Sequence, residues 1–138
     1  MKRIRILIAD EHLSVRAQVF ARLSREPHFE IVALADTSQQ ALECALAARP
    51  DIILMDPMMS DGLGLAALRE ISTRLPKIQL VVLSAFCDTA QRIELRKIGV
   101  THILNKGIES HQLVGLLRSI GDAHVVPQFS REELSPNV

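Results

Sequence analysis

The chain has 138 residues, 48% of them hydrophobic, a size and apolar share that fit one domain with a core of its own. Lys plus Arg and Asp plus Glu number 16 each, so no net charge draws the molecule toward nucleic acid or an anionic membrane. Four Phe and no Trp or Tyr argue against an aromatic platform for stacking single-stranded bases.

The N-terminus, MKRIRILIAD, is basic and then apolar. Its apolar run stops at Asp10-Glu11, too short for the h-region of a signal peptide. No stretch approaches the roughly 18 apolar residues of a membrane span. A cytoplasmic protein without membrane contact is expected, and the run is read as a first strand, Ile4–Ala9. Val15, Val19 and Leu23 then recur every four residues as one face of a helix, which Pro27 ends. A second strand is predicted at 31–35. Thr37 or Ser38 can cap a helix carrying Ala41, Ala45 and Ala48, closed by Pro50. The third strand is Ile52–Met55, followed by the stripe Leu65, Leu68, Ile71 and Leu75 and by Pro76. Residues 80–84 read as a fourth strand. Asp88 or Thr89 can cap the next helix, and Gly99 is its natural stop. A fifth strand at 102–104 precedes Leu113, Leu116, Leu117 and Ile120, spaced i, i+3, i+4, i+7.

The order is (βα)5. Several strands are continuously apolar, as in a parallel sheet buried on both faces. Right-handed crossovers then give an α/β fold, a doubly wound parallel five-stranded sheet, for which the flavodoxin-like order 2-1-3-4-5 is expected. One domain is assigned to residues 3–121. Residues 122–138 lose the pattern and hold Pro127 and Pro136, which reads as a linker or tail. Cys44 and Cys87 are far apart and inside apolar segments, as expected of small core residues in a reducing compartment.

In such a sheet, ligands bind beyond the C-terminal strand ends where the strand order reverses, here between strands 1 and 3. Both places carry acids: Asp10-Glu11 and Asp56. Carboxylates converging at one sheet edge repel each other and need a cation, and oxygen ligands with room for water suit Mg²⁺. Strand 4 ends at Ser84, before the small Ala85, and strand 5 ends near Lys106. Acid, acid, hydroxyl and ammonium at neighbouring strand ends match phosphoryl transfer to a carboxylate. Asp56 would attack, Mg²⁺ and Lys106 would neutralise the charge on the phosphoryl oxygens, and Ser84 would donate a hydroxyl. Backbone N–H groups near Met58 and Ala85 could hold the remaining oxygens. Singly, each residue is ordinary: an Asp or Ser after a strand is usually a cap, and a Lys there is usually solvated.

The segments ILIADEH (6–12), PDIILMDPMMSDGLG (50–64), VVLSA (81–85) and GVTHILNK (99–106) resemble response-regulator receiver domains over about residues 3–120. DEHLSVR and LREI are most similar to the NarL/FixJ (LuxR-type) subfamily. The resemblance implies Asp56 as phosphoacceptor. It implies a Mg²⁺ site of Asp10, Glu11, Asp56 and the Met58 carbonyl, with Ser84 as switch hydroxyl and Lys106 as the family's lysine. It also implies a histidine kinase as phosphodonor, a possible homodimer on phosphorylation, and no enzymatic activity beyond the domain's own phosphorylation and dephosphorylation. The subfamily carries a C-terminal helix-turn-helix, so DNA contact and transcription regulation would need a domain absent from these residues. The segment 133–136 resembles the start of that module.

The chain departs from the family pattern at five places. Glu11 stands where Asp is usual, Pro57 follows the acceptor, Ser60 and Gly107 replace the usual Pro, and Ile103 replaces the switch aromatic. These departures motivate an alternative, a pseudo-receiver that docks proteins without being phosphorylated. Gly62-Leu-Gly64-Leu-Ala-Ala67 matches a dinucleotide fingerprint but follows strand 3 rather than strand 1, so its glycines are assigned to the turn before the third helix. A haloacid-dehalogenase phosphatase would have a second Asp where Met58 stands. His12, His28, His102, His111 and His124 show no metal spacing and are read as surface or cap residues.

Overall fold

The computed structural model describes residues 2–125. In chain order the elements are β1 Ile4–Ala9, α1 Leu13–Ser24, β2 Phe29–Ala35, α2 Ser38–Ala48, β3 Ile52–Met55, α3 Gly64–Arg74, β4 Gln79–Ser84, α4 Thr89–Ile98, β5 His102–Asn105 and α5 Ser110–Val125. All four strand pairings are parallel, in the order β2-β1-β3-β4-β5. The (βα)5 reading and its strand order are borne out.

Alternation along the strands divides the core in two. Ile6, Ile8, Ile52, Leu54, Val81 and Leu83 face one side, where Val19 and Leu23 of α1 and Leu113, Leu117 and Ile120 of α5 cover them. Leu7, Ala9, Ile53, Met55, Leu80 and Val82 face the other, beneath α2, α3 and α4. Each strand has one residue set for each layer, which explains the unbroken apolar runs.

The helix ends follow local chemistry. Thr37 is the N-cap of α2 and accepts from the Gln40 N–H, while Ser38 is the first helical residue. Asp88 caps α4 in a reciprocal capping box with Gln91, and Gly99 ends it at φ 119°. Strand β2 starts at Phe29, earlier than expected, because buried Phe29 pairs with Ile4 although polar Glu30 follows it. Helix α5 continues through Gly121 to Val125, covering the first four residues of the expected linker. Gly121 lacks the apolar side chain a pattern would show, but its bare backbone is what lets α5 sit against Ile4: a Cβ there would lie 2.5 Å from Ile4 Cδ1. The rest of the expected tail, 126–138, lies outside the described residues. Cys44 and Cys87 are half-buried at the margin of the core rather than inside it. Among the described residues, no helix is long and apolar enough to cross a membrane.

Candidate functional site

Asp10, Asp56 and Lys106 each sit one position beyond a strand and are held there by a backbone bond that extends the sheet. The Asp10 N–H donates to the Ala35 carbonyl, the Asp56 N–H to the Ala9 carbonyl and the Lys106 N–H to the Ser84 carbonyl, all at 3.0 Å. These residues therefore inherit the rigidity of buried strands. β1 and β3 are adjacent, and α1 leaves toward one face of the sheet while α3 lies on the other, so Asp10 and Asp56 flank the crevice.

Their carboxylates are 3% and 5% exposed by residue, a burial that requires partners. The Lys106 ammonium supplies one for both. Its Nζ lies 2.7 Å from Asp56 Oδ2 and 2.8 Å from Asp10 Oδ2. Asp10 Oδ2 receives no aligned hydrogen bond and is held by the ion pair alone. Burial by itself would lower the pKa of Lys106. The bonds and charges of Asp10 and Asp56 outweigh it, so the ammonium is held above the ordinary lysine value.

The other carboxylate oxygens fold their own loops. Asp56 Oδ1 accepts from the Met58 N–H at 2.8 Å, and Asp10 Oδ1 accepts from the His12 N–H at 2.8 Å. Asp61 Oδ1 accepts from the Leu63 N–H, and Asn105 Oδ1 from the Gly107 N–H. All four are Asx turns, in which a short carboxylate or amide caps the backbone two residues on. Asp61 also takes the Ser38 hydroxyl at 2.8 Å and the Ser38 N–H at 2.7 Å, tying the β3–α3 loop to the start of α2. The Leu63 N–H, opposed by burial and joined by both Ser38 bonds, holds the Asp61 carboxyl below the usual Asp range.

Asp10, Asp56 and Lys106 are thus brought together as expected. Ser84 is buried at the end of β4, but its hydroxyl donates to the Phe86 carbonyl at 2.8 Å and so turns into its own loop. Ala85 is exposed beside it, and its carbonyl accepts from the Asn105 side chain at 3.3 Å. Glu11 is placed differently from its neighbours: its longer side chain reaches the Ser60 N–H across the crevice mouth. His12 was read as a surface or cap residue, and it does occupy the N-cap of α1. It also enters the acidic cluster, with Nδ1 3.0 Å from Asp10 Oδ1. One ligand atom each from Asp10, His12 and Asp56 lie within 4.8 Å of one another. Sequence reasoning missed His12, Asp61 and Asn105. Their signal was available in the Asx-x spacing Asp10-x-His12, Asp61-x-Leu63 and Asn105-x-Gly107.

The family model of the response regulator receiver domain matches residues 6–118. The chain is a receiver domain. The transcriptional regulatory protein DegU of Brevibacillus brevis is 31% identical to this receiver over 130 residues, 93% of this chain and 55% of that protein. The response regulator protein VraR of Staphylococcus epidermidis is 32% identical over 110 residues, 80% and 49%. The receiver spans about half the length of these curated relatives. Among solved structures, the signal receiver domain of the response regulator NarL from Mycobacterium tuberculosis aligns with TM-score 0.80 at 24% identity. It covers 92% of this chain and all of that one, a likeness of fold.

Proposed function

We propose that this receiver is a phosphorylation switch whose acceptor is Asp56. The observation that carries the proposal is the Lys106 ammonium lodged between two buried carboxylates, 2.7 Å from Asp56. A carboxylate so placed has its backbone held by a ladder bond and a cation beside the oxygen that would react. An Asp56 oxygen attacks the phosphorus of a phosphohistidine on a sensor histidine kinase. The N–P bond breaks, and an acyl phosphate forms on Asp56 while the imidazole leaves. Lys106 stays at hand to pair with the new phosphoryl oxygens. The Met58 N–H, now spent on Asp56 Oδ1, and the Ala85 N–H, which follows Ser84 at the end of β4, are the backbone donors that would hold the remaining phosphoryl oxygens.

The donor set fits Mg²⁺: two buried carboxylates share one cationic partner, and one of their oxygens is without an aligned donor. Asp10, Asp56 and the Met58 carbonyl would hold the ion, and Glu11 would join by leaving Ser60 or by contacting a bound water. The ion would supply charge neutralisation for the transferring phosphoryl group. A docking role without phosphorylation is the weaker reading, because Asp10, Asp56 and Lys106 are assembled despite Glu11 and Pro57. Relatives named as transcriptional regulators, and one named a DNA-binding transcriptional activator in Mycobacterium tuberculosis, support an output in transcription. DNA contact would be made outside these residues, and phosphorylation would favour a homodimer.

Incubation with Mg²⁺ and acetyl phosphate should add the mass of one phosphoryl group to the intact chain. Chelation of the metal or Asp56→Asn should abolish the adduct. Absence of an adduct, or one that survives Asp56→Asn, overturns the proposal.

A further inference from the structure

Two neighbouring features of the corner between β4 and α4 are each unfavourable alone. Phe86 is 74% exposed, the most exposed of the large apolar side chains among the described residues. Beside it lies a cavity of about 130 Å³ walled by Pro57, Met58, Leu65, Cys87 and Leu95, and Phe86 is itself part of the lining. An apolar ring in water and an apolar hollow short of contacts both cost free energy, and one movement would remove both costs. The sizes agree, since an apolar cavity of about 150 Å³ holds a benzene molecule. One wall is light: Gln91 Nε2 donates to Met58 Sδ at 3.7 Å, a weak bond to a flexible thioether. What holds Phe86 is Ser84. The buried hydroxyl donates to the Phe86 carbonyl at 2.8 Å and accepts from the Phe86 N–H at 3.2 Å, so both backbone groups of Phe86 are tied to one side chain.

From this we infer that Phe86 is the moving part of the switch: when a phosphoryl group on Asp56 takes the Ser84 hydroxyl, the Phe86 backbone is released and its ring packs into the cavity between Pro57, Leu65 and Leu95. The anion is the stronger acceptor, so it competes for the hydroxyl that ties the loop. Loss of the two Ser84 bonds and burial of the ring are then one event. Each arrangement has its own complete set of contacts, which makes the two states discrete rather than graded. Pro57 and Met58 belong to the loop after Asp56, whereas Gln91 and Leu95 belong to α4. A ring seated among them wedges the acceptor loop against the start of α4, and the same step takes an exposed apolar side chain off the surface. This movement rests on the proposed phosphorylation of Asp56 and assigns to it the side chain that responds.

The test uses the full chain labelled with para-fluorophenylalanine, the Phe86 resonance being identified by its loss in Phe86→Leu. In the free protein that resonance should show the solvent-isotope shift of an exposed ring. With Mg²⁺ and beryllofluoride, whose own bound fluorines appear in the same ¹⁹F spectrum, it should lose most of that shift. Asp56→Asn should abolish both the bound-ion signal and the loss. Ser84→Ala removes the tie, so the ring should be largely buried before any beryllofluoride is added. Leu65→Phe fills the cavity from α3 and should leave the Phe86 ring exposed with the ion bound. If beryllofluoride binds in a manner that needs Asp56 while Phe86 keeps its exposed shift, the ring movement is ruled out and the phosphorylation switch stands. A ring that stays exposed in Ser84→Ala also overturns the movement, since Ser84 would not be what holds it out. If no bound-ion signal depends on Asp56, switch and ring movement fall together.

Discussion

Lys106 carries two opposing demands, burial of a cation and neutralisation of two acids, and the acids win. The consequence for stability has a definite sign. A folded-state pKa above the unfolded value of about 10.4 means a contribution fully present below that pH and lost as pH rises through the folded value. Lys106→Met should therefore lower stability at pH 7 by about 1–3 kcal/mol, since two buried carboxylates lose their common partner. It should also flatten the alkaline limb of a thermal-midpoint profile above about pH 10.4. Asp61 acts at the opposite end. Its folded pKa lies below the unfolded value, so its contribution is present above about pH 3.9 and lost as pH falls through the folded value. Asp61→Ala should lower the thermal midpoint at pH 7, and the difference from wild type should shrink on acidification below about pH 4. An unchanged gap between pH 7 and pH 3 would show that the Ser38 and Leu63 bonds do not depend on its charge. Asp10, Asp56 and Lys106 were legible in the sequence because strand ends fix the first residue beyond them. The partners of Glu11 and His12 were not, since one added methylene carries Glu11 to Ser60, and the Asp10 turn rather than any metal spacing aims His12.

At the level of elements, the third helix is tied to the acceptor through bare backbone. Its first residue, Gly64, lies so near the Pro57 carbonyl that a Cβ would stand 1.9 Å from that oxygen, and no rotamer relieves a contact with backbone. Gly62 reaches φ 73°, where a side chain is strained. The fingerprint-like Gly-x-Gly is thus a packing device for the loop after Asp56, as expected. Gly64→Ala should cost about 1–3 kcal/mol in denaturant unfolding and slow labelling by acetyl phosphate. Gly62→Ala should cost about 1 kcal/mol. A Gly64→Ala protein of wild-type stability and labelling rate would mean that this close approach is not needed. Element order, helix faces and caps were readable from periodicity and punctuation, because every strand serves two layers and every helix one. The end of α5 was not, because Gly121 is needed as a gap above Ile4 and offers no apolar side chain to extend the stripe.

Over the whole molecule, the question is what a phosphoryl group on Asp56 would move. The Ser84 hydroxyl lies at the end of β4, the strand beside β3, and is bonded within its own loop: it donates to the Phe86 carbonyl, and the Phe86 N–H donates back at 3.2 Å. A new anion is a stronger acceptor than that carbonyl, so it can draw the hydroxyl away and free the loop. The element that follows is the easiest helix to shift. Helix α4 is the shortest of the five, and of its ten residues only Leu95 and Ile98 are buried. A cavity of about 130 Å³ bounded by Met58, Leu65, Ser84, Cys87 and Leu95 gives this corner room to repack. Ile103, half-buried against the same core, has no ring to swing, so the change would pass through α4 and the 85–88 loop more than through β5. A conformer populated at about 0.1–10% before phosphorylation is enough for such a switch, provided the phosphoryl group binds it better. Amide exchange of the full chain with and without beryllofluoride should therefore change several-fold in 85–98, while Leu7 and Ile53, in the paired strands beneath, remain protected. Asp56→Asn should erase the difference, and Ser84→Ala should reduce it while leaving beryllofluoride bound. Exchange that changes only in the loops touching Asp56, with α4 unaffected, would sink the idea that Ser84 transmits the signal.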